Sequence, residues 1–279
     1  MTSTRPAPDR YAVMGNPVAH SKSPRIHSLF AKQTGQQLHY EAIRVESGKL
    51  ATAVADFLAS GGKGLNITVP LKQEAWSLAQ ARSGRADRAG AVNTLVLEPT
   101  GKHFGDNTDG AGLVRDLLYN HGSTLQQRRL LLLGAGGAAR GVIEPLLLEK
   151  PSLLVIANRT AGKAVDLARM FCELGHIEGC GLEDVAGQSF DLIINATAAS
   201  LAGKVPALPD SVVTPDSWCY DMMYADKPTA FMVWAQQLGA ARCLDGLGML
   251  VEQAAESFFL WRGIRPDTSP VIRLLRNRA

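Results

Sequence analysis

A chain of 279 residues, 46% hydrophobic and 20% charged, is long enough for two domains of ordinary size and too apolar for a disordered one. Its net charge of +3 leaves no basic footprint for nucleic acid, and no run of like charges marks an interaction tail. Met1 to Arg10 lack the apolar segment of a signal peptide and no stretch reaches the roughly 18 apolar residues of a membrane span, so the chain reads as cytoplasmic, with no membrane partner.

In chain order, "RYAVMGNP" predicts a strand, and "SPRIHSLFAKQTG" a helix with Ser23 as a cap and Pro24 at its first position. "LHYEAIRV" is a strand, "LATAVADFLASG" a helix closed by glycine, "KGLNITVP" a strand ended by Pro70, and "GAVNTLVLE" another strand. "TDGAGLVRDLLYNHG" reads as a helix that leaves this first α/β unit near Thr108. Beyond it, "RRLLLLGAGG" enters a glycine turn and "AARGVIEPLLLEK" continues as a helix with Val142, Leu146 and Leu147 on one face. The strands "LLVIANRT", "FDLIINAT" and "WCYDMMY" then alternate with the helices "AGKAVDLARMFCELG" and "TAFMVWAQQLG".

Short apolar strands spaced by helices imply a parallel, doubly wound sheet. The last helices, Met249 to Trp261 and Pro270 to Arg276, follow the last strand of the second unit and can return to the first. The expected organisation is α/β, with 1–108 plus 246–279 forming one domain that has a mainly parallel sheet. Residues 109–245 form a Rossmann domain, with a cleft between the two. The cysteines, Cys172, Cys180, Cys219 and Cys243, share no metal or redox spacing and read as reduced core thiols. The six histidines are scattered, so no metal is implied.

Gly134, Gly136 and Ala139 form G-x-G-x-x-A between a strand and a helix, the setting in which a pyrophosphate sits on unpaired helix N–H groups. The spacing alone is weak; its setting gives it force. After the next strand an NAD site usually carries an acid for the ribose hydroxyl. Here Asn158, Arg159, Thr160 and Lys163 stand instead, which suits a 2′-phosphate and hence NADP(H).

Four polar stretches lie at strand ends of the first half. In "GNPVAHSKSP", Ser21 and Ser23 flank Lys22 and can hold a carboxylate, although capping is, taken alone, the better explanation of Ser23. In "NITVPLK", Asn66 and Thr68 share one strand face while Ile67 and Val69 serve the core, and Lys72 follows. Asn93 in "GAVNTL" falls inside an apparent strand, where an unpaired amide costs about 1–3 kcal/mol, so it needs a backbone or ligand partner. In "GDNTDG", Asp106, Asn107 and Asp109 precede a helix, and Asp109 suits either a cap or a catalytic acid. An EF-hand is excluded for want of alternating carboxylates and a distal glutamate.

Together with "GAGGAARG", "NRT", "NAT", "YDMMY" and "DGLGMLVEQAA", these four stretches run from Gly15 to Ala255 in the order of the shikimate dehydrogenase family, which the chain resembles over nearly its whole length. The resemblance implies reduction of 3-dehydroshikimate to shikimate with NADPH, in the route to aromatic amino acids through chorismate, by a monomer or homodimer. It implies that Ser21 and Ser23 bind the substrate carboxylate with Tyr224 near it, that Asn66, Thr68, Asn93, Asp109 and Gln253 bind the ring hydroxyls, and that Lys72 and Asp109 are the catalytic pair. Gly134, Ala135, Gly136, Gly137, Ala138 and Ala139 match the phosphate turn, and Asn158, Arg159, Thr160 and Lys163 the NADP-selecting set. Asn195, Thr197, Met222 and Gly246 are implied on the cofactor side.

Hydride transfer to a carbonyl needs a positioned proton donor, and Lys72 fits that need. The rivals are a quinate or dual quinate/shikimate dehydrogenase, which the missing acid after the second Rossmann strand opposes, and a methylene-tetrahydrofolate dehydrogenase, which the serine pair does not suit. A non-catalytic nucleotide sensor is the third, opposed by the presence of both Lys72 and Asp109. "NATAASLAG", 195–203, is expected to be a cofactor-facing wall of small residues with Asn195 and Thr197 available for hydrogen bonding.

Overall fold

The computed structural model describes residues 7–277, which divide into two compact units. Unit 1 holds the chain up to Thr108 together with Gln253–Val271; unit 2 holds Asp109–Glu252 and the segment after Val271.

Unit 1 contains strands β1 (Asp9–Gly15), β2 (Leu38–Arg44), β3 (Gly62–Ile67), β4 (Ala81–Arg82), β5 (Thr94–Val96) and β6 (Phe104–Asp106). Its helices are α1 (Ser23–Thr34), α2 (Leu50–Ala59), α3 (Lys72–Leu78) and α4 (Gly84–Ala89). The sheet runs β2-β1-β3-β5-β6-β4; β1 is parallel to β2 and β3, β4 is parallel to β6, and β5 is antiparallel to both its neighbours. Alternation divides its side chains. Met14, Leu65, Ile67 and Leu95 pack with Val54 and Phe57 of α2, whereas Tyr11 and Val13 pack with Tyr40 and Trp261.

In unit 2, α5 (Asp109–Arg115) continues into a widened turn (Asp116–Asn120) before β7 (Arg129–Leu133). Then come α6 (Gly137–Leu148), β8 (Leu153–Asn158), α7 (Ala161–Phe171), β9 (Ile177–Gly181), β10 (Leu192–Asn195), β11 (Trp218–Asp221), α8 (Ala230–Gln237) and β12 (Arg242–Asp245). Helix α9 (Leu247–Arg262) begins in this unit and contributes its residues from Gln253 onward to unit 1; α10 (Ser269–Arg276) ends the chain. The sheet order β12-β11-β10-β7-β8-β9 is parallel throughout. Both faces are covered: Leu130, Leu132, Leu154 and Ile156 pack with Val142 and Leu146 of α6, and Leu131, Leu133, Val155 and Ile193 pack with Phe231 of α8. The doubly wound sheet is therefore as the apolar runs imply.

Several local readings change. Ser23 does not cap α1: Lys22 occupies the cap position, and the Ser21 hydroxyl accepts the Ser23 N–H at 3.2 Å. Val69 is 60% exposed, because β3 ends at Ile67 and the chain turns before Pro70. Asn93 precedes β5 instead of lying inside it. Strands β4 and β6 escape the apolar-run criterion because they are only two and three residues long, and β9 ("IEGCG") and β12 ("RCLD") because they carry no apolar run; β4, β9 and β12 are also edge strands. All four thiols are free, but only Cys219 is a core thiol; Cys172 is exposed. Burial, helped by Cys243, pushes the Cys219 thiol up to about 12.

Candidate active site

In unit 1 the strand ends converge on a buried polar network. Tyr40 Oη donates to Asn66 Oδ1 at 2.7 Å, and Asn66 Nδ2 donates to Ser257 Oγ at 2.9 Å, Thr94 Oγ1 at 3.1 Å and the Asn93 carbonyl at 3.3 Å. Asn93 Oδ1 accepts from Thr94 Oγ1 and Thr108 N, both at 2.9 Å, while its Nδ2 donates to Thr108 Oγ1 at 2.9 Å and Gln253 Oε1 at 3.5 Å. Asn66, Asn93 and Gln253, three of the expected substrate residues, thus form one chain of bonds. Each buried amide has the partner its burial demands.

Burial raises the Tyr40 phenol well above its ordinary range, with a smaller opposing hydrogen bond from Ser23. Tyr40 therefore stays protonated and donates to Asn66, and the network reaches the serine pair through it. Thr68, half-buried past the end of β3, is held by its N–H on the Met14 carbonyl at 2.9 Å. Lys72 opens α3, and its carbonyl accepts the Val92 N–H at 2.9 Å, one residue before Asn93. Asp106 is buried and has a structural use: it accepts Arg85 Nε at 2.8 Å, Ser83 Oγ at 2.5 Å and Asn107 N at 2.7 Å.

Tyr40, Thr94, Thr108 and Ser257 were not among the residues singled out in the sequence. Ser257 lies one helical turn after Gln253 and Thr94 is adjacent to Asn93, which are usable signals. Tyr40, the single buried residue of β2, offers none, because its partner is 26 positions away. His27 is a second omission. It is fully buried, stacked on Tyr40 at 4.2 Å, and neither ring nitrogen has a hydrogen-bond partner in good geometry among the described residues. Burial lowers its pKa to about 3, with Asn66 opposing slightly, so the ring is neutral.

In unit 2, Asp109 is the buried first residue of α5. The turn after β7 has Gly134 at φ +104°, where an L side chain is strained. Gly136, Gly137 and Ala138 are exposed, and Ala139 is buried beneath them. A Cβ on Gly136 or Gly137 would meet nothing within 4 Å, and α6 has neither a side-chain cap nor an acid in its first turn. Open backbone and uncapped N–H groups fit a diphosphate. Beyond β8, Arg159, Thr160 and Lys163 are exposed, and Asn158 Nδ2 is tied to the Thr160 carbonyl at 3.0 Å. This set holds no acid and fits a 2′-phosphate.

Asn195 and Thr197 are not available in the way expected. Asn195 is fully buried; its Oδ1 accepts Thr197 Oγ1 at 2.7 Å and Thr197 N at 3.1 Å, and its Nδ2 donates to Ser200 Oγ and Asp221 Oδ1. Its side chain shapes the loop from inside. Met222 and Gly246 are neighbours at the ends of β11 and β12, where a Cβ on Gly246 would stand 2.2 Å from the Met222 carbonyl oxygen. Tyr224 follows in unit 2, half-buried, its phenol raised by burial. No cluster of metal-binding side chains occurs among the described residues.

The parallel order of unit 2, with its open glycine turn, defines a dinucleotide-binding α/β unit, joined in one chain to an α/β unit that carries a buried amide network. Family models match in three places: the shikimate dehydrogenase substrate-binding domain over 13–95, shikimate/quinate 5-dehydrogenase over 116–203, and the shikimate 5′-dehydrogenase C-terminal domain over 246–276. The chain is 60% identical over 269 residues to the shikimate dehydrogenase (NADP(+)) of Nitrosococcus oceani, covering 96% of this chain and 95% of that protein. Among solved structures it is similar to an Ael1 enzyme from Pseudomonas putida, with TM-score 0.90, 48% identity and coverage of 96% and 98%. It is also similar to the shikimate 5-dehydrogenase of Thermus thermophilus in complex with NADP(H) and shikimate, with TM-score 0.85, 32% identity and coverage of 97% and 100%. The chain belongs to the shikimate dehydrogenase family.

Proposed function

We propose that this chain catalyses the reversible NADPH-dependent reduction of 3-dehydroshikimate to shikimate, a step toward aromatic amino acids. The names of its relatives support the reading and do not favour the quinate alternative. The observation that carries it is the bond from Val92 N to the Lys72 carbonyl, which ties a proton donor to the segment bearing Asn93 and its amide network.

In this reading Ser21 and Ser23 take the substrate carboxylate, with Tyr224 as a further contact, and Asn66, Thr68, Asn93, Asp109 and Gln253 orient the ring hydroxyls. The exposed N–H groups of Gly136 and Gly137 hold the diphosphate. Arg159, Thr160 and Lys163 hold the 2′-phosphate, and Ala135, Ala138 and Ala139 keep the turn small. Bound NADPH supplies the hydride. Lys72 delivers a proton to the carbonyl oxygen, and Asp109 completes the proton-transfer pair. The four free thiols suit the reducing conditions of the cytoplasm.

The test is NADP-dependent oxidation of shikimate by the purified protein, followed by NADPH absorbance, with quinate and NAD as the competing substrate and cofactor. Lys72→Ala is expected to lower turnover by about 10²–10⁴-fold, the usual contribution of a general acid–base. NADPH affinity should stay near wild type. Undiminished turnover in that variant, or faster oxidation of quinate with NAD by the wild type, would refute the reading.

A further inference from the structure

Asp221, the last residue of β11, is fully buried and lies outside the catalytic set just described. Its carboxylate accepts four donors from three parts of unit 2. Asn195 Nδ2 reaches Oδ1 at 3.2 Å from the end of β10, and Met223 N reaches the same oxygen at 3.1 Å from the turn after β11. Ser200 Oγ donates to Oδ2 at 2.5 Å from the loop after β10, and Thr229 Oγ1 donates at 2.6 Å while also capping α8 through Met232 N. A buried carboxylate is costly unless its oxygens are satisfied, and this one is satisfied by the loops around it.

Those loops stand at a particular place. Strands β7 and β10 are neighbours from which the sheet grows in opposite directions, and ligands of doubly wound sheets bind at the C-terminal ends of such a pair. The turn after β7 carries Gly134; the loop after β10 carries Ala196 and Thr197, and a Cβ on Gly134 would stand 3.2 Å from Thr197 Cγ2 and 3.4 Å from the Ala196 oxygen. The β ladder holds this loop only as far as Ala196 N on the Leu133 carbonyl. Beyond that point Thr197 Oγ1 accepts Ala199 N at 3.3 Å and a short turn follows over Ala199–Ala202, while the side chains that tie the loop to the rest of the sheet, Asn195 and Ser200, are both fastened to Asp221.

We propose that Asp221 is a positioning residue for the cofactor: it holds the backbone of 196–200 and 222–223 against the phosphate turn, acting through Asn195, Ser200 and Met223 without touching the ligand. The inference rests on the NADPH reading above.

The experiment compares wild type with Asp221→Asn, Ser200→Ala and, as a control, Cys219→Ala, which weakens the core of the same strand without touching the loops. NADPH affinity is read by fluorescence titration, the KM for shikimate by steady-state rates, and Tm by thermal melting. Asp221→Asn is expected to weaken NADPH binding about tenfold and Ser200→Ala about threefold, in line with losing hydrogen bonds to a charged group. The KM for shikimate should stay within about twofold in Ser200→Ala, since the loop after β10 carries none of the substrate residues, whereas Asp221 also holds Met223 beside Tyr224. Cys219→Ala should lower Tm and leave NADPH affinity unchanged. Should Asp221→Asn fail to fold, Ser200→Ala carries the test. Unchanged NADPH affinity in the loop variants, or an equal loss in Cys219→Ala, would overturn the proposal. A wild-type protein that binds no NADPH would instead overturn the cofactor reading beneath it.

Discussion

Tyr40 donates its phenolic proton to Asn66 Oδ1 at 2.7 Å, from one strand to another with β1 between them. Removing the donor leaves a buried amide oxygen unpaired and the ring still stacked on His27. Tyr40→Phe is therefore expected to cost about 1–3 kcal/mol of stability. It should also raise the KM for shikimate more than that for NADP, because Asn66 loses its orienting partner. Urea unfolding and steady-state kinetics measure both; an unchanged KM for shikimate would separate Asn66 from substrate binding.

His27 makes stability depend on pH. Its folded pKa, lowered by burial to about 3, lies below the ordinary value of 6.5. Above pH 6.5 the ring is neutral whether the chain is folded or unfolded, and the full stability is present. As pH falls below that value only the unfolded chain takes up the proton, so stability drops by up to about 1.4 kcal/mol per pH unit until the folded chain also protonates near the lower pKa. His27→Phe removes this titration and keeps the aromatic stack. Urea unfolding at pH 7, 5.5 and 4.5 should show the variant gaining on wild type as pH falls; parallel curves would refute the assignment.

Asn120 stands between two buried carboxylates of unit 2, donating to Asp116 Oδ1 at 2.9 Å and to Glu252 Oε1 at 3.0 Å. Tyr220 and Arg115 supply further partners, from Tyr220 Oη to Asp116 at 2.7 Å and from Arg115 Nε to Glu252 at 3.2 Å. Asn120→Ala withdraws a shared donor from both carboxylates and should destabilise the protein by about 2–4 kcal/mol. Thermal and urea melts check this; a loss below about 0.5 kcal/mol, the range of an ordinary surface substitution, would mean that other donors compensate.

Two glycines should give opposite results. Gly136→Ala adds a Cβ that meets no protein atom within 4 Å, so Tm should hold while NADPH affinity falls as the methyl group enters the space a diphosphate needs. In Gly246→Ala the added Cβ would lie 2.2 Å from the Met222 carbonyl oxygen, which cannot yield without moving the end of β11, so Tm should fall. Melting curves with and without NADPH distinguish the two, and a Gly136→Ala protein that binds NADPH normally would count against the phosphate turn.

The sequence by itself determined the plan of unit 2. Strands buried on both faces must be apolar throughout, so "RLLLL", "LLVIA" and "LIIN" are legible without any neighbour. It also determined the exposed chemistry, in Arg159, Thr160 and Lys163, because a missing acid after a strand is a local fact. It pointed correctly to Asn93 as an amide needing a partner, since burial of a polar group has a cost wherever it occurs.

Only the tertiary structure decided what those partners are. Asn66 reaches Ser257 across 191 residues, and Tyr220 reaches Asp116 across 104. Hydrogen bonds form between atoms about 3 Å apart, and the folding that brings distant residues so close leaves no periodic mark on either stretch. For the same reason "NATAASLAG" reads locally as a small-residue wall, while its shape is set by Asp221 on the next strand, which collects Asn195, Ser200 and Thr229 into one buried site.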